Sequence, residues 1–175
     1  IAGGREQNLR IEPVNLGDLV SQSVGAVQPS ADAIDQNVHL ELPPSSLVAL
    51  VDATRIRQVL DNLLSNAVKY TPPKGRIDVS LSRNGDDAVI LVTNTGAGLT
   101  VSDQDQIFDR FFRTQEARDA GSRGVGIGLT IAKTLIEAHG GSIAVDSKRD
   151  EYTTFTVTLP LRREGVPLSD LPEEP

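Results

Sequence analysis

The chain has 175 residues, a formal net charge of −7 and only 3% aromatic residues. This length is typical of one domain, whose core must consist of Val, Leu, Ile and Ala because aromatic residues are scarce. The absence of cysteine excludes disulfides and cysteine-ligated zinc. The acidic balance argues against a nucleic-acid groove, which needs clustered Lys and Arg, so we expect no nucleic-acid partner.

The first part of the chain predicts a helix followed by two strands. A helix should begin at a cap formed by Asn15 or Asp18 and continue to Pro29, because leucine and valine recur at helical spacing between them. Alternation over residues 38–42 predicts a half-buried strand, and the apolar run 47–51 predicts a short buried one.

A second helix should begin after Asp52, its expected cap, and end at Pro72. One face carries Asn62, Asn66 and Lys69 at positions i, i+4 and i+7. A polar face of this kind is usually no more than a solvated surface, so its meaning depends on the motifs that follow. The other face is apolar and predicts packing against the core through Ile56, Val59, Leu60, Leu63, Leu64, Ala67 and Val68.

A hairpin should follow this helix. Residues 77–81 alternate, the pair Asn84-Gly85 supplies a turn, and residues 88–92 return. The return strand is apolar on both faces, so it belongs in the middle of a sheet. It leads into the sequence Asn94-Thr-Gly-Ala-Gly98.

The next segment predicts a short helix and a loop. The helix should cover residues 104–112, around Phe108 and Phe111, and ordinary core packing would account for at least one of these rings. Residues 113–124 are polar, contain glycine and lack periodicity, so we expect a mobile loop there.

The last elements are a helix and a hairpin. The sequence Gly124-Val-Gly-Ile-Gly-Leu129 opens a helix that continues to Ala138 and should stop at Gly140-Gly141. The final hairpin should pair residues 142–146 with residues 154–159. Strands interrupted by helices, with hairpins present, predict a mixed sheet with helices over one face.

Four motifs in this order resemble the ATP-binding catalytic domain of bacterial sensor histidine kinases. They are the asparagine helix over 57–72, the turn 94–98, the segment 107–113 and the glycine repeat 124–129. These kinases share an ATPase group with gyrase, the Hsp90 chaperones and the mismatch-repair protein MutL. The resemblance covers about residues 15–161. It implies an α/β fold of the Bergerat type: a two-layer sandwich with a mixed, mostly antiparallel sheet covered on one face by helices.

The same resemblance divides the chain into three parts. Residues 1–14 resemble the linker after the dimerisation helices, so we expect a fragment of a longer protein. Residues 15–161 form the catalytic domain, and the acidic, proline-containing residues 162–175 should be disordered. We expect a monomer, because the dimerising helices are missing. The implied location is cytoplasmic, in a membrane-anchored sensor, with no direct membrane contact by this domain.

The resemblance implies that the domain binds ATP and Mg²⁺. Asn66 falls on the metal-binding asparagine of the family, and its carbonyl oxygen suits Mg²⁺, which prefers oxygen ligands. Asn62, one turn earlier on the same helix, supports Asn66. Lys69 occupies the position of the family's phosphate-binding lysine, and Tyr70 occupies that of an aromatic residue that closes the same wall of the site.

The glycine repeat and two arginines complete the implied site. Gly124 to Gly128 lead into a helix N-terminus, where free N–H groups attract phosphate. Arg110 and Arg113 are candidates for contact with the γ-phosphate or for docking to the partner helices. The implied catalytic residues are Asn62, Asn66 and Arg110. The implied ATP-binding residues are Asn62, Asn66, Lys69, Tyr70, Asn94, Gly96, Gly98, Leu99, Phe108, Arg113, Gly124, Val125, Gly126, Ile127, Gly128 and Leu129.

Asn94 departs from the family, which has aspartate at this position to accept a hydrogen bond from the adenine amino group. An asparagine keeps one carbonyl acceptor, loses the charge and gains an NH₂ donor. Hydrogen bonds to charged groups contribute about 1.5 to 3 kcal/mol, against about 1 kcal/mol for neutral ones. The departure therefore predicts weaker ATP binding and reduced selectivity for adenine.

The implied function is transfer of the γ-phosphoryl group of ATP to a histidine in a dimerisation domain outside this fragment, with a response regulator downstream. Hydrolytic relatives have a glutamate as base where this chain has Asn62. Neither His39 nor His139 lies in the sequence context of a phosphoacceptor, so both should be structural or surface residues. Two alternatives remain: a serine kinase of the same ATPase group, and a nucleotide-sensing module without catalysis.

Overall fold

A computed structural model describes residues 8–110, 112 and 128–161 of the chain. In chain order, the elements within these ranges are β1 (Glu12–Asn15), α1 (Leu16–Ala33), β2 (Asn37–Glu41), β3 (Val48–Val51), α2 (Ala53–Tyr70), β4 (Arg76–Asn84), β5 (Asp87–Thr95), α3 (Val101–Gln106), α4 (Gly128–Ala138), β6 (Ser142–Lys148) and β7 (Tyr152–Pro160). Within the same ranges, no helix has the length and apolar character needed to cross a membrane.

The main sheet has the strand order β2, β4, β5, β7, β6. Strand β2 runs parallel to β4, and the other neighbouring pairs are antiparallel. Helices α1 and α2 pack together, α2 also contacts β5 and α4, and α4 contacts β6 and β7. The predicted two-layer α/β sandwich with a mixed, mostly antiparallel sheet is therefore confirmed.

Strand β5 lies in the middle of the sheet, as predicted, but its two faces differ in burial. Ala88, Ile90 and Val92 are buried in the core that the helices share, whereas Val89 and Leu91 between them are only partly buried. Its apolar character on both faces thus marks the central position, although the helices of the described residues cover one of these faces.

The apolar face of α2 packs as predicted. Asp52 is its N-cap, and Thr71 follows its last residue. Six of the seven predicted core residues are buried, and Val68 is partly buried against the same core. The core is aliphatic apart from Phe155, among the residues that the structure describes. Complete burial of a Leu, Ile or Val side chain contributes about 1.5 to 3 kcal/mol, so this face holds α2 on the sheet.

Helix α1 continues past Pro29, so the prediction that it ends there is wrong. Its N-cap is Asn15, as predicted, and it runs to Ala33. Pro29 is exposed and removes one intrahelical donor. The last turn persists because Ala31 is fully buried and its carbonyl oxygen accepts the N–H groups of Ile34 and Gln36.

A small second sheet joins β1 to β3 in antiparallel register, with Glu12 opposite Val51. Strand β3 corresponds to the buried run predicted over residues 47–51. The sequence predicted no strand at β1, since Glu-Pro-Val-Asn has no alternation and includes a proline. This strand brings the N-terminal segment alongside the start of α2.

Helix α3 lies earlier in the chain than predicted. The prediction of a helix over 104–112 followed the phenylalanines, but the helix is fixed by a capping box instead. The Thr100 hydroxyl accepts the Asp103 N–H at 3.0 Å, and the Asp103 carboxylate accepts the Thr100 N–H at 3.3 Å. The helix ends at Gln106, so Phe108 lies beyond it.

The last helix and the last hairpin of the described chain form where the sequence predicted them. Helix α4 ends at Ala138, and Gly140 after it adopts a φ of 77°, which favours glycine. Strands β6 and β7 form the predicted hairpin, each somewhat longer than expected.

The Asp52 carboxylate accepts two backbone N–H groups. Arg55 donates to Oδ1 at 3.1 Å, and Arg10 donates to Oδ2 at 2.9 Å. Burial raises the pKa of Asp52, but these two N–H groups and the Arg55 guanidinium lower it, and the net result is a pKa below the ordinary value.

We expect Asp52 to make the fold sensitive to acid. Because its folded pKa is lowered, its carboxylate stabilises the fold above the pKa of an unfolded aspartate, about 3.9, and this contribution is lost as the pH falls through the folded pKa. Asn is also a good N-cap, so Asp52→Asn should fold while its free energy of unfolding changes less between about pH 5 and about pH 3. Urea denaturation at both pH values measures this. An equal change in both proteins would contradict the prediction.

Candidate functional site

The C-terminal half of α2 meets the start of α4. The Asn62 side-chain Nδ2 donates to the Gly128 carbonyl oxygen at 3.2 Å, and a Cβ added to Gly128 would lie 3.8 Å from the Asn62 amide. Asn62 and Asn66 are both partly exposed on the polar face of α2. The structure therefore joins the asparagine helix to the end of the glycine repeat, two motifs that are 66 residues apart in sequence.

The end of α2 is held by polar contacts that the sequence did not reveal. The Gln36 side chain donates to the carbonyl oxygens of Val68 at 2.8 Å and Thr71 at 2.7 Å. The Thr71 N–H and hydroxyl both donate to the Ala67 carbonyl oxygen. A single glutamine before a strand has no recognisable pattern, so no sequence signal identified Gln36.

Lys69 and Tyr70 lie on the last turn that these contacts fix. Both side chains are exposed, with Tyr70 at 45%. The Lys69 ammonium lies 5.3 Å from the centre of the Tyr70 ring, within the range of a cation–π contact. The two residues thus place a positive charge and an aromatic surface together at the end of α2.

The turn after β5 approaches the same helix end. Asn94 is 9% exposed, and its Nδ2 donates to the Thr95 carbonyl oxygen at 3.2 Å. A Cβ at Gly96 would lie 2.9 Å from the Tyr70 carbonyl oxygen, which is too close for a real side chain. Glycine at this position therefore allows the turn to pack against the end of α2.

The second glycine of this turn contacts the β6–β7 hairpin. Gly98 has a φ of 68°, and a Cβ there would collide with the Lys148 carbonyl oxygen. The Leu99 N–H donates to the Ser147 hydroxyl at 2.8 Å, and the Ala97 carbonyl accepts the Asp150 N–H at 2.7 Å. The close packing of the turn on the hairpin is sufficient to explain the glycine at Gly98.

Phe108 joins the segment after α3 to α4. Its ring meets that of Phe155 edge-on, with centres 6.2 Å apart, and the Lys133 ammonium lies 5.5 Å from its centre. The Thr130 hydroxyl donates to its carbonyl oxygen at 2.9 Å. Leu129 packs partly buried against the core, and Arg110 is exposed.

Five of the residues proposed for ATP binding lie outside the described residues: Arg113, Gly124, Val125, Gly126 and Ile127. Phe111 and the predicted loop after it lie there as well. The role of the glycine repeat in phosphate binding therefore stays a prediction.

The polar face of α2 offers amide oxygens to a metal ion. Across residues 8–110, 112 and 128–161, no three His, Cys, Asp or Glu side chains are grouped as a metal site. The amide oxygens of Asn62 and Asn66 on the polar face of α2 fit the needs of Mg²⁺, which often takes one or two protein oxygens beside water and phosphate oxygens.

One histidine lies at the surface and the other is buried with hydrogen-bond partners, which agrees with the prediction of surface or structural residues. His39 is exposed on the edge strand β2. His139 is 3% exposed, and both of its ring nitrogens have partners: Nε2 accepts the Asp52 N–H at 3.1 Å, and Nδ1 lies 2.7 Å from the Leu135 carbonyl oxygen. These partners assign the proton to Nδ1.

Residues 51–163 match the family described as histidine kinase-, DNA gyrase B- and HSP90-like ATPases. The chain belongs to this ATPase family. It is an ATPase catalytic domain of the sensor histidine kinase type, and the family supports ATP binding.

Curated sensor kinases resemble the chain over most of its length. The sensor-like histidine kinase SenX3 of Mycobacterium tuberculosis is 35% identical over 171 residues, which are 98% of this chain and 42% of that protein. The circadian input-output histidine kinase CikA of Synechococcus elongatus is 36% identical over 87% of this chain and 20% of that protein. The chain thus spans less than half the length of these relatives.

Solved histidine kinase structures share the fold. The catalytic domain of ThkA in a nucleotide-free form has a TM-score of 0.78 and 25% identity, over 87% of this chain and 97% of that chain. Full-length ShkA in complex with AMPPNP has a TM-score of 0.78 and 27% identity, over 92% of this chain and 33% of that chain. These matches confirm the recognition made from the four motifs.

We expect Gly98→Ala to lower the free energy of unfolding by about 1 to 3 kcal/mol, because the substitution adds both a strained φ and a collision with Lys148. Gly25→Ala is the matched control. Gly25 lies in α1 with nothing within 4 Å of an added Cβ, so alanine there should not destabilise the fold. Urea denaturation of both variants measures the difference, and equal stabilities would contradict the packing described for the turn.

Proposed function

We propose that this domain binds ATP with Mg²⁺ and transfers the γ-phosphoryl group to a histidine in a dimerisation domain outside the chain. The observation that carries this proposal is that two other motifs, the Asn94–Gly98 turn and the end of the glycine repeat, contact the asparagine helix α2. Asn62 contacts Gly128 at the start of α4, and Gly96 packs against the carbonyl of Tyr70. Amide oxygens, a lysine and a helix N-terminus are thereby grouped around one end of α2, and these are the groups that a metal-bound triphosphate requires.

In the proposed site, the residues of α2 bind and orient the nucleotide. Asn66 supplies an amide oxygen to Mg²⁺, Asn62 supports it, and Lys69 contacts phosphate oxygens. When bound, Mg²⁺ neutralises phosphate charge. Arg110, which is exposed after α3, is proposed to contact the γ-phosphate or the partner helices.

Phosphoryl transfer fits the site better than hydrolysis. Asn62 cannot act as a general base, because an amide does not accept a proton near neutral pH. Phosphoryl transfer needs mainly positioning and electrostatic stabilisation, which amide oxygens, lysine and metal supply. Asn62 also donates to a backbone carbonyl, which suits a role in positioning.

The acceptor is proposed to lie in another domain. His139 is buried with both nitrogens engaged, and His39 lies exposed on an edge strand beside β4. Solved ThkA in complex with its response regulator TrrA has a TM-score of 0.75 to this chain and 25% identity. By analogy, we propose a response regulator as the downstream partner, and a cytoplasmic location without direct membrane contact.

Asn94 favours one competing function, a nucleotide-sensing module without catalysis.

The proposed transfer to histidine is tested by supplying γ-labelled ATP, Mg²⁺ and a separate phosphoacceptor domain from a sensor kinase. Label on the histidine of the acceptor supports the kinase. Label on serine would indicate a serine kinase, and ATP binding without any transfer would indicate the sensing module.

We expect Asn66→Ala to weaken ATP binding more in the presence of Mg²⁺ than in its absence, since the variant loses an oxygen ligand of the metal. Ser65→Ala is the matched control, because Ser65 is exposed on the same turn of α2. Calorimetric titration with Mg²⁺ and with a chelator measures both affinities. Equal losses under the two conditions would mean that Asn66 is not a metal ligand.

We expect Asn94→Asp to tighten ATP binding by about 1 to 2 kcal/mol, which is the difference between a charged and a neutral acceptor for the adenine amino group. The same change should weaken binding of GTP, because a carboxylate cannot donate to the guanine carbonyl whereas the Asn94 amide can.

Asn84→Asp is the matched control for this test, because it adds the same charge at the opposite end of β4, where Asn84 pairs with Asp87. Calorimetry with both nucleotides compares the two variants. Unchanged affinities in Asn94→Asp would mean that Asn94 only ends the strand and does not contact the base.

A further inference from the structure

A second contact ties α2 to α4 at the end remote from the proposed nucleotide site. The Asp52 N–H, at the N-cap of α2, donates to Nε2 of His139, which follows α4, at 3.1 Å. The His139 Nδ1–H donates in turn to the Leu135 carbonyl oxygen in the last turns of α4. The imidazole therefore bridges the beginning of one helix and the end of the other.

The two contacts between the helices match in spacing. Asp52 and Asn62 are ten positions apart on α2, and Gly128 and His139 are eleven positions apart around α4. At a rise of about 1.5 Å per residue, the two contacts are about 15 Å apart along α2 and about 16 to 17 Å apart along α4. Antiparallel helices joined by two contacts with nearly equal spacing cannot slide along one another without breaking a hydrogen bond.

The Asp52 side chain extends this connection to the N-terminal segment. Its Oδ2 accepts the Arg10 N–H at 2.9 Å, just before β1. The β1–β3 ladder then leads directly into Asp52, because Glu12 pairs with Val51. The segment that enters the domain is thus bound to the residue that also fixes α2 and, through His139, α4.

We infer that Asp52 and His139 are positioning residues for nucleotide binding, which hold α4 in register on α2 and couple this register to the N-terminal segment at Arg10. The inference rests on the proposed function, since it assigns the nucleotide to the Asn62–Gly128 end of the helix pair. A slide of α4 would move Gly128 relative to Asn62 and Asn66. The contact at His139 therefore sets nucleotide affinity although it lies about three turns of helix away.

The coupling must be reciprocal. If the N-terminal contact favours the arrangement that binds nucleotide, then bound nucleotide must stabilise that contact by the same factor. The amides of Arg10 and Asp52 should therefore exchange more slowly when ATP is bound in the native domain.

The first test compares two substitutions of His139. His139→Phe fills the same space without an acceptor for the Asp52 N–H, whereas the Oε1 of His139→Gln can replace Nε2. We expect His139→Phe to raise the Kd for ATP and Mg²⁺ about 5- to 20-fold, and His139→Gln to restore most of the affinity. His39→Phe, at an exposed histidine, is the control and should bind as the native domain does.

The second test changes only the N-terminal contact. Arg10→Pro removes the N–H that Asp52 accepts, and Arg10→Ala keeps it. Arg10→Pro should weaken binding severalfold and abolish the slowing of Asp52 amide exchange by ATP, whereas Arg10→Ala should do neither. The comparison of Arg10→Pro with Arg10→Ala tests the coupling even if His139→Phe does not fold.

The outcomes separate this inference from the proposed function. Native binding of ATP together with an unchanged Kd in His139→Phe and in Arg10→Pro, even with lowered Tm, would overturn the inference and leave the proposed function standing. A native domain that does not bind ATP would overturn both. Weakened binding in both variants, with recovery in His139→Gln, supports the coupling.

Discussion

The burial of one face of α2 is the constraint on which the site depends. Ile56, Leu60 and Leu63 are almost completely removed from solvent, and each contributes about 1.5 to 3 kcal/mol when fully buried. Rotation of the helix about its axis would expose them. The side chains of Asn62 and Asn66 therefore remain on the open side of the helix, where the Asn62 amide reaches the Gly128 carbonyl oxygen. Polar capping at both ends, by Asp52 and by Gln36, then limits movement along the axis.

The parts of the fold that could be predicted from the sequence are those governed by local periodicity. The spacing of apolar residues in α2 and the alternation in β4 and β5 reflect burial of one face, so they are visible without knowledge of the partner. The continuation of α1 past Pro29, strand β1 and the early position of α3 were not predictable in this way. The last turn of α1 depends on the burial of Ala31, and β1 depends on pairing with the distant strand β3. Helix α3 depends on a capping box that lies close to a more conspicuous group of phenylalanines.

The candidate site also divides into residues that the sequence predicted and residues that it did not. Asn62, Asn66 and Lys69 were identified from their spacing and from the order of the motifs, and the contact of Asn62 with Gly128 agrees with that grouping. The polar residues that hold the ends of α2 in place were not identified from the sequence. Gln36 and His139 are single polar residues whose partners at the two ends of α2 lie 32 to 87 residues away, and isolated residues of this type carry no periodic signal. Asn94 is a different case, because only the comparison with the family makes the missing charge noticeable.

The glycines of the Asn94–Gly98 turn have a consequence for how such sequences evolve. Gly96 and Gly98 are required by their approach to the Tyr70 and Lys148 carbonyls, and neither requirement involves a nucleotide. A descendant of this chain that lost ATP binding would still need both glycines to fold. The glycines would therefore persist because the fold requires them, whereas no buried packing requires Asn66 and Lys69, which are exposed or partly exposed on α2. Under the proposed function, the polar face of the helix is the better guide to which related domains still bind a nucleotide.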